Sequence, residues 1–108
     1  MSRLVQVLTN LVVNALRHTG DGDRITLGVV ERESEVHVFV RDTGPGIPPD
    51  HLELVFGRYW QADETDRRGL GLGLYISRCI LEGHHGRIWA ESRVGAGSTF
   101  WLAVPRAP

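Results

Sequence analysis

The sequence predicts an α+β two-layer sandwich with helices on one face of a sheet, and three observations carry that prediction. Residues 3–18, "RLVQVLTNLVVNALRH", place Leu4, Leu8, Leu11 and Ala15 at helical spacing, with Val5, Val12 and Leu16 beside them. Two pairs of segments, "ITLGVVER" with "EVHVFVRD" and "GRIWAES" with "STFWLAV", read as strands joined by short turns. The order of elements, helix, two strands, a broken middle, helix, two strands, suits an α+β domain.

The 108 residues, 42% of them hydrophobic, fit one domain. Apolar runs such as "LVV" and "WLAV" are too short to span a bilayer, and Met1 leads directly into a helical pattern, so the chain reads as soluble and untargeted. A formal net charge of −1 supplies no basic field, which argues against nucleic acid or an anionic membrane as partner. All twelve cations are arginine. The single cysteine, Cys79, excludes an internal disulfide and reads as buried filler in an apolar helix.

Along the chain, "TGDGD" stops the first helix and turns into a hairpin whose strands flank "ESE". "TGPGIPPD" breaks the second strand, and "PDHLELVF" reads as a short helix. Residues 57–69 are polar without a sustained period, a length and composition that suggest a lid. The second long helix is expected over residues 70–81, with Gly83 as its C-cap, before the last two strands joined by "RVGAG". On the strands, Val30, Phe39, Trp89, Trp101 and Ala103 fall on the parity facing away from the helices. That strip is apolar enough to suggest contact with another domain or self-association through the face or an edge of the sheet.

The chain's only asparagines, Asn10 and Asn14, share one side of the first helix at i, i+4 spacing, with Arg17 on that side and His18 close by. Their carboxamide oxygens are hard donors that suit Mg²⁺, although two helical asparagines taken alone are more often part of a solvated face. Asp42 ends the row Val36, Val38, Val40 on the core-facing parity of its strand. A carboxylate there must be hydrogen-bonded, either in an Asx turn opening "TGPG" or to a ligand donor such as an exocyclic amine. Gly44 and Gly46 permit a sharp turn, and Gly69, Gly71 and Gly73 leave backbone N–H groups uncovered before a helix start, with Arg67 and Arg68 just upstream. A Rossmann fingerprint is absent, and a P-loop needs a lysine that the chain lacks.

Taken together, "NLVVNALRHT", "VRDTGPGIP", "LVFGRYWQAD", "GLGLGLYIS" and "GAGSTFWLAV" resemble, in order and spacing, the N, G1, F, G2 and G3 boxes of the ATP-binding catalytic domain of sensor histidine kinases, in the GHKL superfamily. The resemblance covers practically all of residues 1–108, and five motifs in register make it specific. It implies the ATP-binding sandwich of that superfamily, with a mixed sheet, helices on one face and an ATP lid. It implies ATP and Mg²⁺ as cofactors, with Asn14 as the metal ligand, Asn10 beside the phosphates as the second catalytic residue, and Arg17 meeting the phosphates. His18 stands where an aromatic packs near the nucleotide. Asp42 matches the aspartate that accepts from the adenine amino group, with Gly44, Gly46 and Ile47 beside the base. Arg68, Gly69, Gly71, Leu72 and Gly73 match the lid and its hinge over the phosphates, and Thr99 matches a residue reaching adenine.

In gyrase- and MutL-type ATPases of the superfamily the position of Asn10 holds a glutamate base; an amide cannot take a proton, so transfer to a protein side chain is expected here rather than hydrolysis. The chain departs from the family at Leu70, at Gln61 and at His85, which replaces the first glycine of a usual H-G-G. None of its five histidines lies in an H-E-[LI]-[RK]-T-P acceptor pattern. The expectation is therefore a catalytic domain lacking the dimerisation and phosphoacceptor domain and the opening strands. Its partners would be that domain and, indirectly, a response regulator, in the cytoplasm, with the parent protein either soluble or membrane-anchored. Two alternatives share the fold: a non-catalytic nucleotide-binding module and an anti-sigma-type serine kinase.

Overall fold

The computed structural model describes residues 3–52, 54–57 and 73–106. The expected lid, with Arg68, Gly69, Gly71 and Leu72, lies outside them. In chain order the elements are α1 (Arg3–Arg17), β1 (Ile25–Glu31), β2 (Glu35–Asp42), α2 (Pro49–Leu52), α3 (Gly73–Gly83), β3 (Arg87–Arg93) and β4 (Gly97–Pro105). The four strands form one sheet in the order β1-β2-β4-β3. Every pairing is antiparallel, which corrects the mixed sheet implied by the resemblance. β4 forms a hairpin with β3 and slots beside β2, so among the described residues no crossover returns a strand in the parallel sense. The α+β two-layer arrangement itself stands.

Helix α1 exists because its apolar residues repeat with the helical period, and Val7, Leu11 and Ala15, at 0%, 0% and 2% exposure, are the face that pays off. Removing a leucine of this kind from water contributes about 1.5–3 kcal/mol. The helix stops where the Thr19 hydroxyl and the His18 amide both turn back to the Ala15 carbonyl, and Arg17 occupies the negative end of the helix dipole. Helix α3 buries Ser77 and Leu81 against α1 and β3. Val40, Phe100 and Leu102 supply the sheet side of the same core.

Two details of α3 differ from expectation. Gly83 is its last helical residue rather than its cap, and His85 holds the left-handed position with φ of 61°. His85 N donates to the Glu82 carbonyl and Gly86 N to the Leu81 carbonyl, the paired bonds of a Schellman ending. Cys79 is exposed, because the buried side of α3 is defined by Ser77 and Leu81 and leaves Cys79 outside it.

The two sheet faces have different characters. Toward the helices, Val40, Phe100 and Leu102 are buried, but Leu27 and Val29 on edge strand β1 are 50% and 63% exposed, since α1 packs on β2 and α3 on β3 and β4. On the other face, Phe39, Trp101 and Trp89 stand side by side across β2, β4 and β3. The two indoles are parallel to within 4° at 5.8 Å, and Phe39 lies 5.0 Å from Trp101. Arg87 covers Trp89 and Arg41 covers Phe39, so the outward apolar strip is half-buried by its own neighbours, and Ala103 beneath it is fully covered.

Glu35 beside this row accepts from Arg87 at 2.9 Å and meets the His37 ring at 3.1 Å. The Arg87 hydrogen bond, then that of His37, holds the carboxyl below its ordinary 4.5. A carboxyl lowered in the folded state adds stability above its unfolded pKa and loses it as pH falls through the folded one. Urea melts between about pH 5 and pH 3 are therefore expected to show a shallower acid loss for Glu35→Gln than for the unaltered chain. His85→Gly relieves the left-handed strain at the end of α3 and is expected to raise stability by about 0.5–1 kcal/mol in the same melts.

Candidate functional site

The helix-side face of the sheet changes chemistry at one end. Its central rows are apolar, Val38 with Leu102 and Ile88, then Val40 with Phe100 and Ala90. The next row is polar: Asp42 pairs with Ser98, and Ser98 with Ser92. Asp42 and Ser98 are only 4% and 6% exposed. The strand alternation that buries Val40 therefore also buries a carboxylate, which must find hydrogen bonds or cost about 1–3 kcal/mol. Its Oδ1 accepts from Gly44 N at 2.9 Å, the Asx turn, and no other hydrogen bond engages the carboxylate among the described residues.

Loop residues 43–48 are held in place from both sides. A side chain at Gly44 would sit 2.5 Å from the His18 carbonyl oxygen, so the loop lies directly against the end of α1. Gly46 adopts φ of 81°, and a Cβ there would meet the Arg93 carbonyl oxygen at 2.3 Å. This contact lets the loop join the β3–β4 turn, where Gly95 N donates to the Pro45 carbonyl at 2.8 Å and Ile47 N to Ser92 Oγ at 2.7 Å.

On this face, against Phe100 of the row next to the polar one, opens a cleft of about 360 Å³, its mouth included. Asn14 and His18 line it from α1, Gly46, Ile47 and Pro48 from the loop, His51 and Val55 from α2 and the turn after it, Leu74 from α3, and Phe100 from β4. The structure thus brings Asn14, His18, Gly46 and Ile47 together around one space; Asp42 and Gly44 do not line it, and adjoin it through Gly46 and Ile47 of the same loop and through Phe100, on Asp42's sheet face. Asn10, one turn from Asn14, reaches across to α3, its Nδ2 donating to the buried Ser77 Oγ at 3.1 Å. Arg17 is exposed at the end of α1, and Gly73 opens α3.

Thr99 does not belong to this group. It pairs with Arg41 on the opposite sheet face and accepts from Arg41 Nε at 3.3 Å. Ser98 shares the helix-side face with Asp42 and Phe100, and the correction is one residue, which in a strand reverses the face. Parity with Phe100 and Leu102 on β4 was the signal that identifies Ser98. His51, Val55, Leu74 and Phe100 are further lining residues; Phe100 and Leu74 followed from apolar patterning as core, whereas nothing in the local sequence marks His51.

Arg68, Gly69, Gly71 and Leu72 lie outside the described residues. What the described part offers is the Asn14 carboxamide and His18 on the α1 wall, His51 on α2, an apolar floor, and a buried acceptor, Asp42, in the adjoining sheet row. Such a space suits a flat, partly apolar ligand carrying a donor group at one edge.

Comparison with known proteins places this geometry. The family model described as "Histidine kinase-, DNA gyrase B-, and HSP90-like ATPase" matches residues 1–108. The sensor protein SrrB of Staphylococcus aureus is 45% identical over 109 residues, covering 98% of this chain and 19% of that protein. This chain therefore spans about a fifth of the length of that relative. Among solved structures, the nucleotide-free catalytic domain of histidine kinase ThkA superposes with a TM-score of 0.84 at 36% identity, over 98% of this chain and 69% of that one. Full-length ShkA in complex with AMPPNP superposes with a TM-score of 0.85 at 32% identity, over 95% of this chain and 21% of that one.

Because Gly46 combines a positive φ with backbone contact, Gly46→Ala is expected to cost about 2–3 kcal/mol in denaturant melts. A value below about 0.5 kcal/mol would contradict the clamp between the loop and the β3–β4 turn.

Proposed function

The chain belongs to the family of histidine kinase-, DNA gyrase B- and HSP90-like ATPases as an ATP-binding catalytic domain of the histidine kinase type, and we propose that it transfers the γ-phosphoryl group of ATP to a histidine on another domain or chain. In that step the bond between the γ-phosphorus and the β–γ bridging oxygen breaks, a P–N bond to the acceptor imidazole forms, and ADP leaves. The observation that carries the reading is the buried Asp42, whose Oδ1 is used in the Asx turn and which ends the sheet row next to the one that supplies Phe100 to the cleft. There it is the acceptor for the amino group of adenine, with the base over Phe100 and Ile47.

From that anchor the phosphates extend along α1. Asn14 lines the cleft, and its carboxamide oxygen is a hard donor that fits Mg²⁺. When bound, the ion would offset the negative charge of the phosphates. Asn10 is an amide, its Nδ2 committed to Ser77, so it provides no base for activating water. Arg17 and the segment 68–72 are the groups proposed to meet the phosphates, and rate enhancement then comes from positioning and charge rather than from proton transfer. That full-length ShkA was crystallised in complex with AMPPNP supports a nucleotide as the ligand. The acceptor histidine, a response regulator further along and a cytoplasmic location belong to the same proposal.

Mixing the chain with a dimerisation domain that carries an acceptor histidine, together with γ-labelled ATP, tests it. Acid-labile phosphohistidine is expected; acid-stable phosphoserine points to a serine kinase, and binding without transfer to a non-catalytic module. Asp42→Ala is expected to abolish adenine nucleotide binding in calorimetry, and unchanged affinity would remove Asp42 from the site.

A further inference from the structure

The polar row contains a hydroxyl that the reading above does not use. Ser92 on β3 lies at the centre of three contacts. Its Oγ accepts from Ile47 N at 2.7 Å, donates to the Gly97 carbonyl oxygen at 2.9 Å, and lies 2.9 Å from Ser98 Oγ. A serine hydroxyl has one proton and two lone pairs. One lone pair takes the Ile47 amide, and the proton goes to a carbonyl that can only accept. All three contacts are satisfied together only when Ser98 is the donor to Ser92. The Ser98 proton is then occupied, and Ser98 can only accept from anything that approaches the end of the cleft.

We infer that Ser92 is a specificity-determining positioning residue: by holding the Ser98 proton, it makes Asp42 and Ser98 a wall of acceptors that selects a purine carrying an amino group at its 6-position over one carrying an oxygen there. The inference rests on the proposed adenine site. Asp42 and Ser98 are direct cross-strand partners, and both are nearly fully buried, so the two acceptors lie side by side where water competes little. A 6-amino group offers two protons to such a wall. A 6-oxo group offers only lone pairs, and Ser98 could donate to it only by giving up its bond to Ser92. A site built on paired polar groups discriminates strongly for this reason. Ser92 also fixes the Ile47 amide, so the same hydroxyl sets the loop edge and the proton direction.

The experiment is calorimetric titration of the chain with ATP and with inosine triphosphate, both with Mg²⁺. The unaltered chain is expected to prefer ATP. Ser92→Ala releases the Ser98 proton and is expected to shrink that preference about fivefold, the worth of one hydrogen bond, chiefly through better relative binding of inosine triphosphate. Ser92→Thr keeps a hydroxyl at the same place and is expected to keep the preference. Ser98→Ala leaves the Ser92 bonds to Ile47 and Gly97 in place and removes the second acceptor, so it is expected to lose preference as well, whether or not Ser92→Ala folds. Loss of affinity for both nucleotides by the same factor in Ser92→Ala would assign Ser92 a structural role only and overturn the inference. So would an unchanged preference in Ser98→Ala. Failure of the unaltered chain to bind either nucleotide would overturn the adenine reading and, with it, the acceptor wall.

Discussion

A carboxylate at the end of an apolar strand row is the constraint on which the rest of this site depends. Strand alternation that buries Val40 leaves Asp42 no choice of face, and at 4% exposure it cannot rely on water. The chain answers with an Asx turn to Gly44, and that turn sends the following loop back over the end of α1. The loop in turn is clamped to the β3–β4 turn through Pro45, Ile47 and Ser92. A cleft with an apolar floor, next to a sheet row that ends in a buried acceptor, is the geometric result. Moving the carboxylate one residue back along β2, to position 41, would place it on the other face and leave the polar row without its carboxylate.

The same register gives one sheet two surfaces. On the helix side the rows run from apolar to the polar trio Asp42, Ser98 and Ser92; on the far side they run through Phe39, Trp101 and Trp89. β2, β3 and β4 each contribute to both, so a sequence that reads as simple alternation encodes a polar row and an aromatic row at once. The polar trio is what binds function to fold, because its members come from three strands and are brought together only by correct pairing.

Much of this was legible in the sequence because it depends on periodicity. The α1 stripe, both hairpins and the core-facing Asp42 follow from spacing alone, and five boxes in register supplied the family resemblance. The assignment of Thr99 failed where a motif was carried over by composition instead of parity; Phe100 and Leu102 on the core face require Ser98 to face inward. The end of α3 was read from a glycine, whereas the left-handed residue is His85, since a Schellman pair of hydrogen bonds can outweigh a modest backbone cost. Cys79 is exposed for a similar reason: on a short amphipathic helix, burial is set by which neighbours are packed, not by the apolar look of the run. The Ile47–Ser92 bond could not be read at all, because it arises from tertiary approach of segments 45 residues apart, and nothing in the local sequence marks His51 as a lining residue.

The central claim is that the polar row, not the aromatic row, reads the base. Amide spectra of the ¹⁵N-labelled chain titrated with adenosine, which has no phosphates, test it most directly. The account predicts that the Gly44 and Ile47 amide signals move with added adenosine while the indole signals of Trp89 and Trp101 stay in place. Movement of the indole signals with Gly44 and Ile47 unchanged would contradict it.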